Sequence, residues 1–552
     1  MVEKVKRKTS VEPWVFIPPL VGIIALVAWV VANPAGAGEV LGTLAWTIIC
    51  ADFGWFFELY FALIVVVCIF LCIHPIGKKK FGQEKPEFST FSWLGMMFTA
   101  VAGFGVLTWT SIEWFYYYQA PIEGVEPFSM EALYMSTAFP LHHWGVVAFS
   151  AATLMGVVTA YQIFCKKSKD VRPSTACVSI LGEKKQKGAV GKIIDALFAI
   201  SLLTGVVTCI GVNVPTLFAI IGRVFGTQIS FGAESFVIIL WSVVMALLLY
   251  TGLSKGMRLF SDIRVYIGFG VLAFLLIVGP RSYLLNGMVD NIGVYLQNLL
   301  RLTFDADTYA ASGTPQSWTV FYWCWYLALA IQTGLFFAKI SRGRTVRQLV
   351  IFSLLAQTLG SWLFFGVFMN YSIYIFQNET VDLAGIIAAS GQGEAIVALW
   401  DYIPFIKILY PILMVYGFMS MQTLLNGNIY SMAMVTSKSI QGSEEPPRWN
   451  RVFWSLGVGA IAISLLLIGG ISPAQCITII GSVPAVLIIT LMLLAFYKEV
   501  KNGWVIRNDE GKVVSVEGYK VKEEYLPVDD PGLAAVSGDN GAAVSEQAAG
   551  TE

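Results

Sequence analysis

Long apolar blocks separated by short polar or glycine-rich stretches set the plan of this chain. About 20 apolar residues cross a hydrocarbon core of about 30 Å, and blocks of that length lie near 14–33, 53–75, 91–116, 143–165, 193–213, 234–254, 264–285, 318–340, 349–370, 404–434, 452–471 and 475–497. They show neither the period-2 alternation of strands nor the single apolar stripe of a soluble helix, so they predict transmembrane helices. The second, third and tenth are long enough to be tilted or broken. Segments 214–226 and 288–303 are shorter and amphipathic and predict interfacial or re-entrant helices. From about 502 the chain turns polar and then small, which predicts a disordered tail over 501–552.

Composition narrows the class. The 552 residues are 56% apolar and 13% charged, well under the roughly 25% charged of soluble domains. Lys+Arg and Asp+Glu are both 36, so bulk basicity for a nucleic-acid partner is absent. His74, His142 and His143 are the only histidines. The cysteines sit mostly in apolar runs without a CxxC pair, and no metal or cofactor is expected. A membrane enzyme or redox subunit would need haem histidine pairs, cysteine ligands or clustered carboxylates in the spans.

Orientation follows from Lys and Arg. With twelve spans and a cytoplasmic N-terminus, every Lys and Arg except Arg223, Arg281, Arg301 and Lys407 falls on the cytoplasmic side. Both termini are therefore expected inside. The start, with Lys4, Lys6, Arg7 and Lys8 before an apolar run and the small residues 32–38, has the look of a signal peptide. The charge alternation requires the first span to stay.

Ionisable residues within spans are functional candidates because they cost about 2.5–3.5 kcal/mol to insert. Glu113 lies in the third span, and Asp262 and Arg264 open the seventh; the alternative for each is a helix end reaching the interface. The third span ends Trp109-Thr-Ser-Ile-Glu113-Trp114-Phe115-Tyr116-Tyr117-Tyr118, the fourth opens His143-Trp144, and the eighth reads Trp318-Thr-Val-Phe321-Tyr322-Trp323-Cys324-Trp325-Tyr326. An interfacial aromatic belt explains Trp14 or Trp55. It explains the eighth span poorly, because these rings cover every helix face and some must point into the bundle. A dry cluster of π faces suits a cation that cannot donate hydrogen bonds, such as a quaternary ammonium. Gly103-Phe-Gly105 gives the third span a place to unwind, as at transporter sites, or to pack closely against another helix.

The run Ser317-Trp318-Thr-Val-Phe-Tyr322-Trp323-Cys-Trp325, with Ala338-Lys-Ile-Ser341-Arg342-Gly343-Arg344-Thr345, resembles the signature of the betaine/carnitine/choline transporter (BCCT) family. Pro86-Glu87-Phe88-Ser89-Thr90, Arg172-Pro173-Ser174 and Glu444-Glu445-Pro446-Pro447 also match, and the likeness runs from about Glu12 to Trp504. The resemblance implies an all-α membrane protein of 12 transmembrane helices: an N-terminal tail and two accessory helices (1–90), then a leucine-transporter-like 5+5 inverted repeat. Its halves would be 91–300, spans three to seven with an amphipathic connecting helix, and 301–500, spans eight to twelve. A homotrimer in a bacterial inner membrane is implied as well.

By position the family's substrate box falls on Tyr116, Trp144, Trp325 and Tyr326, with Gln332 matching, and an outward-facing second site on Trp318 and Tyr322. The closest likeness is to the sodium-independent carnitine/γ-butyrobetaine antiporter branch. Tyr326 stands where that branch has Trp, Leu329 where it has Tyr, and Thr333 where it has a Met in the place of one sodium. Sodium-coupled relatives carry a Thr-Ser pair where this chain has Leu425-Asn426, and Leu425 offers no oxygen to a hard cation. Arg264 aligns with the arginine that occupies the sodium position in the antiporter branch. The resemblance thus implies a secondary transporter, not an enzyme, exchanging a quaternary ammonium substrate for a counter-substrate across the bilayer without sodium. The alternatives are a channel and a sodium- or proton-coupled glycine betaine or choline symporter for osmoprotection.

Overall fold

A chain with no water to satisfy its backbone must close its hydrogen bonds within each segment, and helices do so. The structure, a computed structural model, describes residues 10–517 apart from 102, 123, 228, 252–253, 310, 439–444, 470–471, 502 and 509. The basic N-terminus and the chain beyond 517 lie outside the described residues. Among those described, ten helices are long and apolar enough to cross a membrane. Two further pairs pass that test only together: Thr90–Ala100 with Phe104–Gln119, bent by 54°, and Asp262–Val278 with Arg281–Thr303, bent by 114°. With each bent pair counted as one span, the total is the twelve that hydropathy predicts.

The main helices are α1 Pro13–Ala32, α2 Pro34–Ile73, α3 Thr90–Val101, α4 Phe104–Gln119, α5 Met130–His143, α6 Val146–Ala160 and α7 Ala189–Phe225. They continue as α8 Phe231–Thr251, α9 Ser254–Val278, α10 Arg281–Thr303, α11 Phe321–Lys339, α12 Val346–Phe364, α13 Gln392–Trp400, α14 Ile406–Val435, α15 Arg448–Ile468 and α16 Ser472–Val500. Besides the bend between α9 and α10, two backbone breaks interrupt spans among the described residues. One separates α3 from α4, where Gly103 is extended ahead of Phe104. The other separates α5 from α6, where Trp144 ends α5 and Gly145 is extended; a Cβ on Gly145 would stand 2.4 Å from the Leu141 carbonyl oxygen.

Three expectations are corrected. Segment 214–226 is not a separate interfacial helix: α7 runs unbroken through Pro215 to Phe225. Residues 216–222 are buried on all faces, and Arg223 fixes the far end through ion pairs to Glu394 (3.1 Å) and Asp401 (3.0 Å). The second span begins at Pro34, not 53, and carries a π-helical stretch over Thr43–Asp52. The polar tail is structured at its start. β1 (Trp504–Arg507) and β2 (Val513–Glu517) form an antiparallel hairpin. Trp504 anchors it: the ring is buried 4.6 Å from Tyr161, and its N–H donates to the Lys80 carbonyl at 3.1 Å. The other amphipathic segment, 288–303, is part of α10. Its apolar Val289, Leu296 and Leu300 are exposed, while Asn291 turns inward to donate to Asn370 at 3.0 Å.

The sequence signatures hold the bundle together at one end. Arg344 donates to Thr90 Oγ1 (3.0 Å) and the Phe88 carbonyl (2.8 Å), and its guanidinium lies 4.6 Å over the Trp93 ring. Trp93 in turn donates to Ser341 at 3.0 Å. Gly343 has φ +73°, and a Cβ there would meet the Glu84 carbonyl oxygen at 2.5 Å, so no other residue fits this turn. The loop after α11 thereby clamps the start of the broken third span. Likewise Ser174 donates twice to Asp195, from N–H (3.0 Å) and Oγ (2.8 Å), tying the segment 172–174 to α7.

Helices α6 and α11 approach through small residues, as expected where lipid removes the hydrophobic drive between helices. A Cβ on Gly334 would sit 2.5 Å from Met155 Cβ and 2.6 Å from the Gly156 nitrogen. Gly334→Ala is therefore expected to destabilise the bundle by about 1–3 kcal/mol, read as a lowered melting midpoint in detergent. Gly427→Ala meets nothing within 4 Å and is expected to leave the midpoint unchanged or raise it. Equal midpoints for Gly334→Ala and the unchanged chain would contradict this packing.

Candidate functional site

The aromatic residues singled out from sequence converge where α4, the α5–α6 break and α11 meet. Trp144 sits at the break itself, where the helix leaves its indole free to project between neighbours. Its ring lies 6.0 Å from Tyr322, 6.2 Å from Tyr326 and 6.0 Å from Phe365. Tyr322 and Tyr326, one turn apart on α11, lie 6.2 Å from each other, and Phe149 lies 5.6 Å from Tyr326. These are the edge-to-face and offset spacings of a packed aromatic cluster.

Tyr116 and Trp318 form a second group. Their rings are 4.5 Å apart, Trp109 lies 5.9 Å from Trp318, and the Tyr116 hydroxyl donates to Gln392 Oε1 on α13 at 3.0 Å. Trp109 bridges the groups, its ring 5.8 Å from Tyr322. The structure thus brings Tyr116 to Trp318 and Tyr322 to Trp144 and Tyr326. The family pattern divides the same residues differently, with Tyr116 in the box and both Trp318 and Tyr322 in an outer site. Trp318 lies in the π-helical turn Pro315–Val320 that precedes α11.

Trp325 faces α7. Its N–H donates to the Gly205 carbonyl at 3.3 Å, and its ring stacks 5.7 Å from Phe321 and 6.2 Å from Tyr322. Gln332 lies six residues past Tyr326, about 9 Å along the helix. It donates to the Gly427 carbonyl at 3.4 Å and lines a cavity of about 320 Å³ that reaches Lys169, Arg172 and Glu445. Thr333 is half-buried beside it. Gln332 and Thr333 therefore stand below the aromatic cluster, toward the basic loop 166–192.

Arg264, on α9, is buried. Its Nη2 donates to the Thr99 carbonyl at 3.3 Å, and Nη1 stands 3.4 Å from the position of a Cβ on Gly103. The guanidinium therefore occupies the break in the third span. The last carbonyls of α3 have no intrahelical donors there, and the helix end carries partial negative charge. Asp262, by contrast, is exposed, but it lies about two turns inside α9 and not at a helix end. Leu425 and Asn426 are both buried, and Asn426 accepts from Gln422 at 3.0 Å.

The sequence singles out Glu113 and, separately, Trp144, but not the contacts that join Glu113 to Trp144, His143 and Tyr117. The carboxylate is wholly buried. Oε1 accepts from the Tyr117 hydroxyl (2.9 Å) and lies 3.0 Å from His143 Nδ1, and Oε2 accepts from the Trp144 N–H (2.9 Å). His143, equally buried, reaches Thr319 Oγ1 through Nε2 at 3.0 Å and stacks 4.5 Å from Tyr322. The only sequence signal was the adjacency of His143 and Trp144.

A helical bundle with a buried cation at a broken span, next to an interior aromatic cluster, defines a membrane carrier for small molecules. The family model described as betaine/carnitine/choline family transporter matches residues 14–505, so the chain belongs to that family and is a multi-pass secondary transporter. A solved structure of a Na+-coupled sialic acid symporter, in a substrate-bound outward-open state, is also similar. It is 12% identical, the match covers 75% of this chain and 86% of that one, and the TM-score is 0.36.

The Trp144–Glu113 bond is open to a direct check. Trp144→Phe keeps a π face but removes the donor from a buried carboxylate. It is expected to cost about 1–3 kcal/mol, seen as a lower melting midpoint in detergent. An unchanged midpoint would show that the carboxylate is held by its other partners alone.

Proposed function

We propose that this transporter exchanges quaternary ammonium compounds of the betaine, carnitine and γ-butyrobetaine type across a bacterial inner membrane, without sodium. The observation that carries sodium independence is Arg264 at the break in the third span. A fixed guanidinium at unpaired carbonyls supplies the positive charge that a coupling ion would otherwise bring. Leu425 offers no oxygen to such an ion. Thr333, half-buried on α11, offers a hydroxyl that favours the rival reading of a coupled symporter.

The substrate class is supported by the interior aromatics. Each ring face contributes about 0.5–2 kcal/mol to a cation; Trp144, Tyr322 and Tyr326 cluster together, and Trp325 packs beside Tyr322 on the side toward α7. Tyr116 and Trp318 form the neighbouring group on the route past Trp109. Gln332 and the cavity toward the basic loop 166–192, which its charge places on the cytoplasmic side, fit an inward-facing exit. The remaining parts of the reading are the two inverted repeats, both termini inside, and a homotrimer.

The decisive experiment is radiolabelled uptake into proteoliposomes that are empty or loaded with substrate, with and without a sodium gradient. Uptake is expected to require internal substrate and to ignore sodium. Uptake that needs the gradient and ignores internal substrate would make this chain a symporter. Trp325→Ala is expected to weaken binding of a trimethylammonium ligand by roughly 1–2 kcal/mol, and Trp14→Ala, on the exposed face, to leave it unchanged. Arg264→Ala is expected to cripple exchange and to be partly rescued by sodium.

A further inference from the structure

Glu113 and His143 are a carboxylate–imidazole pair inside a membrane bundle, and the function proposed above uses neither. Tyr117 Oη, His143 Nδ1 and Glu113 Oε1 form a triangle with sides of 2.9, 3.0 and 3.0 Å. The remaining oxygen of Glu113 is tied to Trp144, and the remaining nitrogen of His143 to Thr319. This arrangement accepts two protonation states without moving a heavy atom. With neutral imidazole, Nδ1–H donates to Glu113 and the Thr319 hydroxyl donates to Nε2. With one more proton, Nε2–H donates and the same hydroxyl turns to accept. A cluster that satisfies every polar group both with and without a proton is built to hold one.

Charge argues in the same direction. The unprotonated pair carries a net charge of −1 in an apolar interior, where an uncompensated charge is costly. Among the described residues no Lys or Arg forms an ion pair with Glu113. The titratable neighbours are Tyr116 and Tyr117 from α4, His142 from α5, Tyr322 and Tyr326 from α11, and Tyr295 of α10, which meets His142. None of these supplies a fixed positive charge. The empty site is therefore neutral when the pair is protonated. A substrate cation beside Trp144 removes the need for that proton.

We propose that the Glu113–His143 pair is a proton-binding site linked to the cation site, so that a quaternary ammonium head group entering beside Trp144 expels one proton to solvent. The step balances in charge: the site gains the +1 of the head group and loses the +1 of the proton. The proposal rests on the substrate class given above. By reciprocity, each ligand weakens the other by the same factor. For two unit charges about 7 Å apart at an effective dielectric constant of about 20, the factor is roughly fiftyfold.

The test is binding of γ-butyrobetaine and of choline to the full-length purified transporter, followed by tryptophan fluorescence from about pH 5.5 to 8.5, with a pH-indicator dye in weak buffer. Affinity is expected to rise with pH, by roughly fiftyfold in all and at most about sixfold per unit, with up to about three-quarters of a proton released per ligand bound. Glu113→Gln, neutral at every pH, is expected to bind at the low-pH affinity of the unchanged chain, independently of pH and without proton release. Tyr117→Phe retains both titrating groups and is expected to keep the release; it serves if Glu113→Gln does not fold. Tight binding that is flat in pH and releases no proton would overturn the proton site and leave the substrate class standing. Absence of binding by both probes at every pH would remove the substrate class and this inference with it.

Discussion

A break in a helix buried in an apolar bundle leaves backbone carbonyls that water cannot reach, and the bundle must supply a donor or a cation for them. In this transporter the donor is Arg264, reaching from α9 to the Thr99 carbonyl, with Gly103 small enough to admit the guanidinium. The rest of the site depends on that arrangement. The break sets the direction of α4, and α4 presents Trp109, Glu113, Tyr116 and Tyr117 to the rings of α11. A second break, at Trp144–Gly145, aims the Trp144 indole at the same region and places its N–H on Glu113.

The signature segments act away from the chemistry. Arg344, Gly343 and Ser341 hold the start of α3 against the loop after α11. They join the broken span to the helix that carries most of the aromatic cluster. Arg223 does the same at the far end of α7, through Glu394 and Asp401. The elements that line the candidate site are thus fastened at their ends, while the site itself is made of side chains at helix interruptions.

Much of the plan was legible in the sequence because a hydrocarbon core imposes a length on every span. The twelve apolar blocks, the break at Gly103 and the inward-facing rings of the eighth span all follow from composition and helical geometry. Three features were not legible, each for a physical reason. The short amphipathic pattern of 214–226 points to an interfacial or re-entrant helix, yet burial of 216–222 on all sides carries α7 through Pro215 to Phe225. The hairpin at 504–517 is too short and polar to stand out; it is held by one tryptophan in a pocket formed by residues far away in sequence. The Glu113–His143 pair joins two helices across 30 positions, and no local spacing announces such a contact.

The central claim is that an interior cation site of π faces works without a coupling ion, since Arg264 already provides the charge. Calorimetric titration in sodium-free buffer, comparing a trimethylammonium ligand with its uncharged tert-butyl isostere, tests this most directly. The claim predicts binding of the ammonium ligand without sodium, and binding of the isostere weaker by tenfold or more, as loss of about 1.4 kcal/mol of cation–π attraction requires. Equal affinity for the two ligands, or ammonium binding that appears only when sodium is added, would contradict it.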